Sequence, residues 1–170
     1  MNTTRHIGRG APRSPAAALL ALLALLLAAT AAAAPSVPPK SIATASNLGF
    51  GRFAAAGGGA INVSPAGVRA RTGSVVLLPS SVAAAAFTIS GNGQGNDNKV
   101  YVLTLPANGS VTLAAGANRM AVNSFTSNLG AGAPLPTGTQ SVTVGATLQV
   151  SPNQPPGAYS GNFNVTLEYQ

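Results

Sequence analysis

Cysteine and tryptophan are absent from this chain, only two of its 170 residues are acidic, and its single histidine is His6. Each shortage removes a class of chemistry. Without thiols there is no disulfide framework and no thiolate nucleophile, so stability has to come from burial. A serine triad lacks its imidazole base once the first residues are removed, and zinc-type centres lack nitrogen and sulfur ligands. Paired-carboxylate catalysis needs two acids a few ångströms apart, whereas Asp97 lies in a polar loop and Glu168 near the end of the sequence. A Ser/Lys dyad needs a lysine in an apolar run, and neither Lys40 nor Lys99 sits in one. The expectation is a protein that is not an enzyme and has no catalytic residue, cofactor or metal.

The longest hydrophobic run lies close to the start. Arg5, Arg9 and Arg13 precede AAALLALLALLLAATAAAA, whose strongly apolar centre, Leu19 to Leu27, is short and whose tail is rich in alanine. Residues 1–34 therefore read as a secretory signal, with cleavage at Ala33 or Ala34 and Ala45 as a less suitable site. An uncleaved anchor is the alternative, because the run approaches the length that spans a bilayer. With the signal removed no membrane span is left, and the protein is expected in the periplasm, on the cell surface or outside the cell. The remaining part carries Lys40, Arg52, Arg69, Arg71, Lys99 and Arg119 against Asp97 and Glu168, a net +4. These cations are scattered, and no basic stripe interleaved with aromatics is present to bind nucleic acid. Only Arg69 and Arg71 are close. Two apart on one strand they share a face, which suits a phosphate or an acidic polysaccharide; a solvated strand face is the plainer reading.

No amphipathic helical pattern follows the signal. The sequence from Pro35 begins with a proline-bearing stretch, residues 35–47, expected as an extended arm. Short alternating or β-branched runs then alternate with Gly/Pro/Asn/Ser clusters, as in an all-β sandwich. LGFGRF (Leu48 to Phe53) is the first expected strand, and AINV follows the glycines at 57–59. Ser64-Pro65-Ala66-Gly67 marks a turn, after which VRAR runs through Thr72-Gly73 into SVVLL. AAAFTIS, KVYVLTL, SVTL, Arg119 to Phe125 and SVTVGATLQV are further strands. KVYVLTL is apolar on both parities and so is expected in the middle of a sheet. GNGQGNDN (91–98) resembles a phosphate or calcium loop only superficially, because no helix follows it and Asp97 is its one carboxylate; it reads as a hairpin loop. Three Asn-x-Ser/Thr tripeptides, at Asn62, Asn108 and Asn164, carry no weight in so Asn- and Ser-rich a sequence.

The last stretch has the clearest period. Tyr159, Gly161, Phe163, Val165, Leu167 and Tyr169 alternate with polar residues, so one face is expected to meet a core. SVTVGATLQV places Val142, Val144, Ala146, Leu148 and Val150 on one face, and the two runs are expected to form a hairpin through SPNQPPG.

Leu48-Gly49-Phe50-Gly51, Val63 to Gly67, Phe87 to Gly91, Met120 to Phe125, Val144 to Val150 and Gly157 to Val165 occur in an order that resembles the bacterial domain of unknown function 4402 family. That family is similar to fimbrial adhesin, pilin and spore-coat U-type domains. The resemblance covers Leu48 to Gln170, and its most specific part is V-G-A-T-L-x-V followed by G-x-Y-x-G-x-F-x-V-x-x-x-Y. It implies an immunoglobulin-like antiparallel β-sandwich over residues 48–170, completed by a strand from another chain. In that picture the protein is a structural subunit of a fimbria or surface coat. Its partners would be like subunits, a periplasmic chaperone and an outer-membrane usher. The C-terminal strand would be the assembly edge, with Tyr159, Phe163, Val165, Leu167 and Tyr169 along it, and Val37, Ile42 and Leu48 would mark the candidate donor arm. Two features depart from the pilin pattern. Pro38 and Pro39 interrupt the arm, and the disulfide common in such subunits is absent. The alternative is a complete sandwich acting as a secreted or periplasmic binding module for carbohydrate or another surface polymer.

Overall fold

The computed structural model describes residues 41–90, 101–129 and 139–169. The expected signal, Val37, the 91–98 loop and much of the loop before β8 lie outside those residues. The described part is all β, with antiparallel pairing throughout. Its strands are β1 (Ser41–Ser46), β2 (Phe53–Val63), β3 (Arg69–Leu77), β4 (Ala85–Ser90), β5 (Tyr101–Thr104), β6 (Val111–Ala115), β7 (Asn118–Ser127), β8 (Thr139–Val150) and β9 (Thr166–Tyr169).

Residues 41–63 and 69–90 run antiparallel along nearly their whole length. β1 pairs with β4, a bridge joins Gly49 to Ala83, and β2 pairs with β3 from Phe53↔Leu77 to Val63↔Arg69. The turn that closes this ribbon is Ser64-Pro65-Ala66-Gly67, where the Gly67 amide donates to the Ser64 carbonyl at 2.8 Å and Gly67 takes φ 76°. The Val68 amide donates to Ser64 Oγ at 3.2 Å and completes the turn. β8 then ties the ribbon together. Its first half pairs with β4 (Ala85↔Val144 to Ser90↔Thr139) and its second half with β2 (Gly59↔Val150 to Val63↔Ala146). β7 also pairs with β8, and β6 pairs with β7. The main sheet has the order β1-β4-β8-β2-β3 with β7 and β6 attached through β8, while β5 and β9 form a separate two-stranded sheet.

The core follows from the alternation in β8. Val142, Val144, Ala146, Leu148 and Val150 are all buried. One cluster gathers Ile61, Val63, Val75, Val111, Met120 and Val122 around Leu148; the other gathers Ala85, Phe87 and Ile89 around Val142 and Val144. Leu103 of β5 and Leu167 of β9 lie on the second cluster, so the small sheet covers part of the large one's apolar face. Leu48, Phe125 and Phe163 touch both clusters.

Five expectations change. Leu48 to Phe53 is not a strand: Gly51 takes φ 74° and only Gly49 makes a bridge before β2 starts at Phe53. The 57–59 glycines do not separate strands but lie inside β2, where Gly58 (φ 80°) and Gly59 (φ 145°) build a bulge between Ala55 and Gly59. β5 is not central, since among the described residues it pairs with β9 alone. The β8–β9 hairpin does not form either, because both halves of β8 are taken by β4, β2 and β7. Finally, the strand system starts at Ser41, so six residues of the expected arm are a paired strand.

Candidate binding cleft

A cleft of about 1170 Å³ opens between the irregular stretch Asn47 to Arg52 with the start of β2 on one side and the irregular stretch Gln154 to Phe163 on the other. Its floor is made of Phe87, Val111, Leu113, Met120, Val122 and Leu148, which are core side chains of β4, β6, β7 and β8. Among the described residues that line it, Arg52 is the one bearing a charge.

The first wall is fixed by Arg69. Its guanidinium Nη1 donates to the carbonyls of Phe50 (3.1 Å) and Arg52 (3.2 Å), and Nη2 donates to that of Leu78 (2.9 Å). Ser80 Oγ accepts from the Arg52 amide at 2.7 Å. Gly51 turns tightly beneath this fork, and a Cβ there would meet Ser80 Oγ at 2.5 Å and Arg69 Nη1 at 2.6 Å. Arg69 is therefore neither half of an anion site with Arg71 nor a solvated strand residue. Three of its five N–H donors are bonded to backbone carbonyls, while Arg71 is exposed and donates to the Gly73 carbonyl.

The second wall is fixed by Tyr159, whose hydroxyl donates to the Pro155 carbonyl at 2.7 Å and accepts from Gln154 Nε2 at 2.9 Å. Ser160 bridges to Ala114 of β6 through both of its backbone groups, at 2.8 and 3.1 Å. Gly161 then passes over β6 so closely that a Cβ would collide with the Thr112 carbonyl oxygen. Phe163 closes this end, with ring centroids 5.1 Å from Phe125 and 6.2 Å, edge to face, from Phe87. From Gly161 to Val165 the backbone makes no hydrogen bond to another backbone group among the described residues. Pairing resumes only at β9, which meets β5 from Tyr101↔Tyr169 to Thr104↔Thr166.

The residues expected along the C-terminal edge divide between two places. Tyr159 and Phe163 line the cleft, while Val165 and Leu167 lie on the second core cluster beyond it. Phe163, Val165 and Leu167 are half-buried and Asn162, Asn164, Thr166 and Glu168 exposed, which preserves the period of two even where no ladder forms. Tyr169 is placed by its pairing with Tyr101. Of the expected arm, Leu48 stands in the cleft wall and Ile42 reaches the second cluster from β1. Sequence reasoning singled out Arg69 but not its part in bracing the wall, and it missed Gln154 and the β6–β7 floor. Gln154 sits in a stretch that reads only as a turn, and nothing local marks Val111 or Met120 as standing opposite Phe50.

Among the described residues such a site is lined by the hydroxyls of Thr44, Ser46, Tyr159 and Ser160 and by no carboxylate, imidazole, thiol or amine side chain. It offers an apolar floor, a length of unpaired backbone and room for side chains pointing down. Among the described residues no group of His, Cys, Asp or Glu is arranged to hold a metal, and no helix is long and apolar enough to cross a membrane. No curated protein and no solved structure matches the chain. The profile of the family described as Domain of unknown function (DUF4402) matches residues 41–169, from the first strand to the last. Within that span lie Gly145, pressed on Val63, and Gly161, pressed on Thr112, two of the three glycines of the motifs V-G-A-T-L and G-x-Y-x-G-x-F. The chain belongs to the DUF4402 family.

Proposed function

We propose that this protein is an exported, non-enzymatic structural subunit of a fimbria or surface coat. It works as an immunoglobulin-like sandwich that takes a β-strand from a neighbouring chain into the cleft. The observation that carries this reading is the coincidence of an apolar floor with an unpaired stretch of backbone, Gly161 to Val165, whose first three residues form part of the cleft wall. A strand laid there gains main-chain hydrogen bonds from the wall and buries alternate side chains on Val111, Leu113 and Met120. An exposed sheet edge beside an apolar groove is otherwise an aggregation hazard. The link from the Tyr159 hydroxyl back to the Pro155 carbonyl, four residues upstream, supports the immunoglobulin-like reading, because it has the form of the tyrosine corner of such sandwiches. The arginines and the apolar run of residues 1–34 support export. Partners on this reading are like subunits, with a periplasmic chaperone and an outer-membrane usher handling the open form.

A second reading is favoured by β1, which occupies the edge of β4 within the same chain. If the sheet edges are satisfied internally, the protein is a self-contained secreted module whose cleft takes a surface polymer such as carbohydrate. Hydrogen exchange separates the two. In the subunit, amides of Gly161 to Val165 exchange fast in monomers and become protected in assembled material. A protein that stays monomeric, unfolds cooperatively and never gains that protection is the module.

A further inference from the structure

The floor of the cleft is an apolar track that crosses strands. Val111, Val122 and Leu148 stand in register on β6, β7 and β8, Leu113 faces Met120 in the next row, and all five line the cleft. Neighbouring strands lie about 4.8 Å apart, so three of them give about 10 Å of continuous hydrocarbon. No polar residue is buried among the described ones, so nothing beneath the track can hydrogen-bond a hydroxylated ligand. Charge enters from one wall. The backbone of Arg52 is fixed, its amide donating to Ser80 Oγ at 2.7 Å and its carbonyl accepting from the Leu78 amide at 3.0 Å and from Arg69 at 3.2 Å. Arg69, Arg71 and Arg119 all direct guanidinium N–H groups at backbone carbonyls, whereas that of Arg52 makes no such bond among the described residues. Glu168, the acid among those residues, lies on β9 opposite Val102 and does not line the cleft. A cation without a counter-charge thus stands beside a dry, elongated track.

We infer that the cleft binds one molecule of a long-chain fatty acid. Its carboxylate sits on the Arg52 guanidinium, whose planar fork matches two carboxylate oxygens. Its alkyl chain lies along the two rows, where each methylene leaves water for hydrocarbon. An unbranched chain suits a track of aliphatic side chains, and the thioether of Met120 adapts to its path. The pairing of an apolar lining with one orienting polar group is that of small-molecule sites in general. A sugar ring laid on the same floor would lose its hydrogen bonds to water without replacement, and a cationic head would meet Arg52. The inference goes beyond both readings above, because it rests on the geometry of the cleft and needs no neighbouring chain. Where a strand also enters, the two ligands take the same space and exclude one another.

The test is titration of the full-length chain with dodecanoate, below the concentration at which it forms micelles, followed by nuclear magnetic resonance. Binding should saturate at one molecule per chain, with nuclear Overhauser contacts from the alkyl chain to the Met120 methyl group and to Leu113. Affinity should rise about fourfold for each methylene added from decanoate to tetradecanoate. Dodecanol, which has the same tail and no charge, should bind about fivefold more weakly. Arg52 is exposed and its structural bonds are made by backbone, so Arg52→Gln should fold normally. That variant should bind dodecanoate no better than dodecanol and leave dodecanol binding unchanged. Leu113→Asn should weaken both ligands about tenfold; should it fold poorly, the Met120 contacts in the unmodified chain still locate the tail. The inference is overturned by a lack of saturable binding, by several molecules per chain, by contacts confined to residues outside the cleft, or by equal dodecanoate affinity in Arg52→Gln. Failure to bind leaves the strand reading standing. Binding at Met120 in a protein whose Gly161 to Val165 amides never gain protection removes the strand reading and supports this one.

Discussion

Gly145 shows how one missing side chain fixes a crossing of backbones. A Cβ at this buried position would collide with the Val63 carbonyl oxygen and sit 2.6 Å from the Ser64 carbonyl carbon, so neither β2 nor its turn could stay in place. Gly145→Ala is expected to cost about 1–3 kcal/mol, or more if the turn is displaced, measured as a fall in the urea midpoint. Gly109→Ala is the control: nothing lies within 4 Å, and only the positive φ of 80° opposes it, at about 1–2 kcal/mol. Arg69 acts at the same scale. Arg69→Ala strips the hydrogen bonds from three carbonyls and should cost about 2 kcal/mol, and Arg69→Lys should recover little because one ammonium cannot replace a planar fork. Both losses should appear as earlier proteolysis in the wall at Phe50 to Arg52. At Phe163, wedged between Phe87 and Phe125, an aspartate would bring an unpaired charge into the junction of the two core clusters. Phe163→Asp should cost at least about 2 kcal/mol and prevent accumulation of folded protein, while Thr166→Asp, exposed, should stay within about 0.5 kcal/mol. Equal damage from both, read as soluble yield and melting temperature, would contradict the facing described here.

Among the elements, β8 and β9 form the contrast that matters for function. β8 contributes all five of its inward residues to the core and is bonded to β4, β2 and β7, whereas β9 is four residues long and has β5 as its partner. Native-state hydrogen exchange should therefore place β8 amides among the slowest. β1 and the Gly161 to Val165 stretch should be among the fastest, opening well below the global unfolding free energy. Much of this was legible in the sequence. The alternation of Val142 to Val150 shows which side of β8 is buried, and that of Tyr159 to Leu167 survives even where no ladder forms. Less legible was where strands stop. Leu48 to Phe53 alternates like a strand, yet Gly51 turns out of it; the 57–59 glycines resemble a break, yet the backbone pairs through them with a bulge. Glycine permits both outcomes at similar local cost, so the choice falls to contacts distant in sequence, here Arg69 and Thr72.

At the scale of the whole molecule, stability rests on burial. Among the described residues the charged groups are four arginines and Glu168, Arg69 is satisfied by carbonyls, and no ionisable residue is buried. The melting temperature should accordingly change little between about 0.02 and 0.5 M sodium chloride, a range over which surface ion pairs are screened. A drop of many degrees would reveal an electrostatic contribution that these contacts do not contain. Composition and alternation were enough to determine that the described residues are all β, because each depends on residues read singly or two apart. Which strands became neighbours was decided only in three dimensions. β8 reads as half of a hairpin with the C-terminal run, yet its edges are filled by β4, β2 and β7, and the C-terminal run is left to cross β6 and meet β5. A strand's pattern states which face must be buried but not whose backbone completes its hydrogen bonds. That second choice is made by competition among all the edges at once, and it is the choice that opened the cleft.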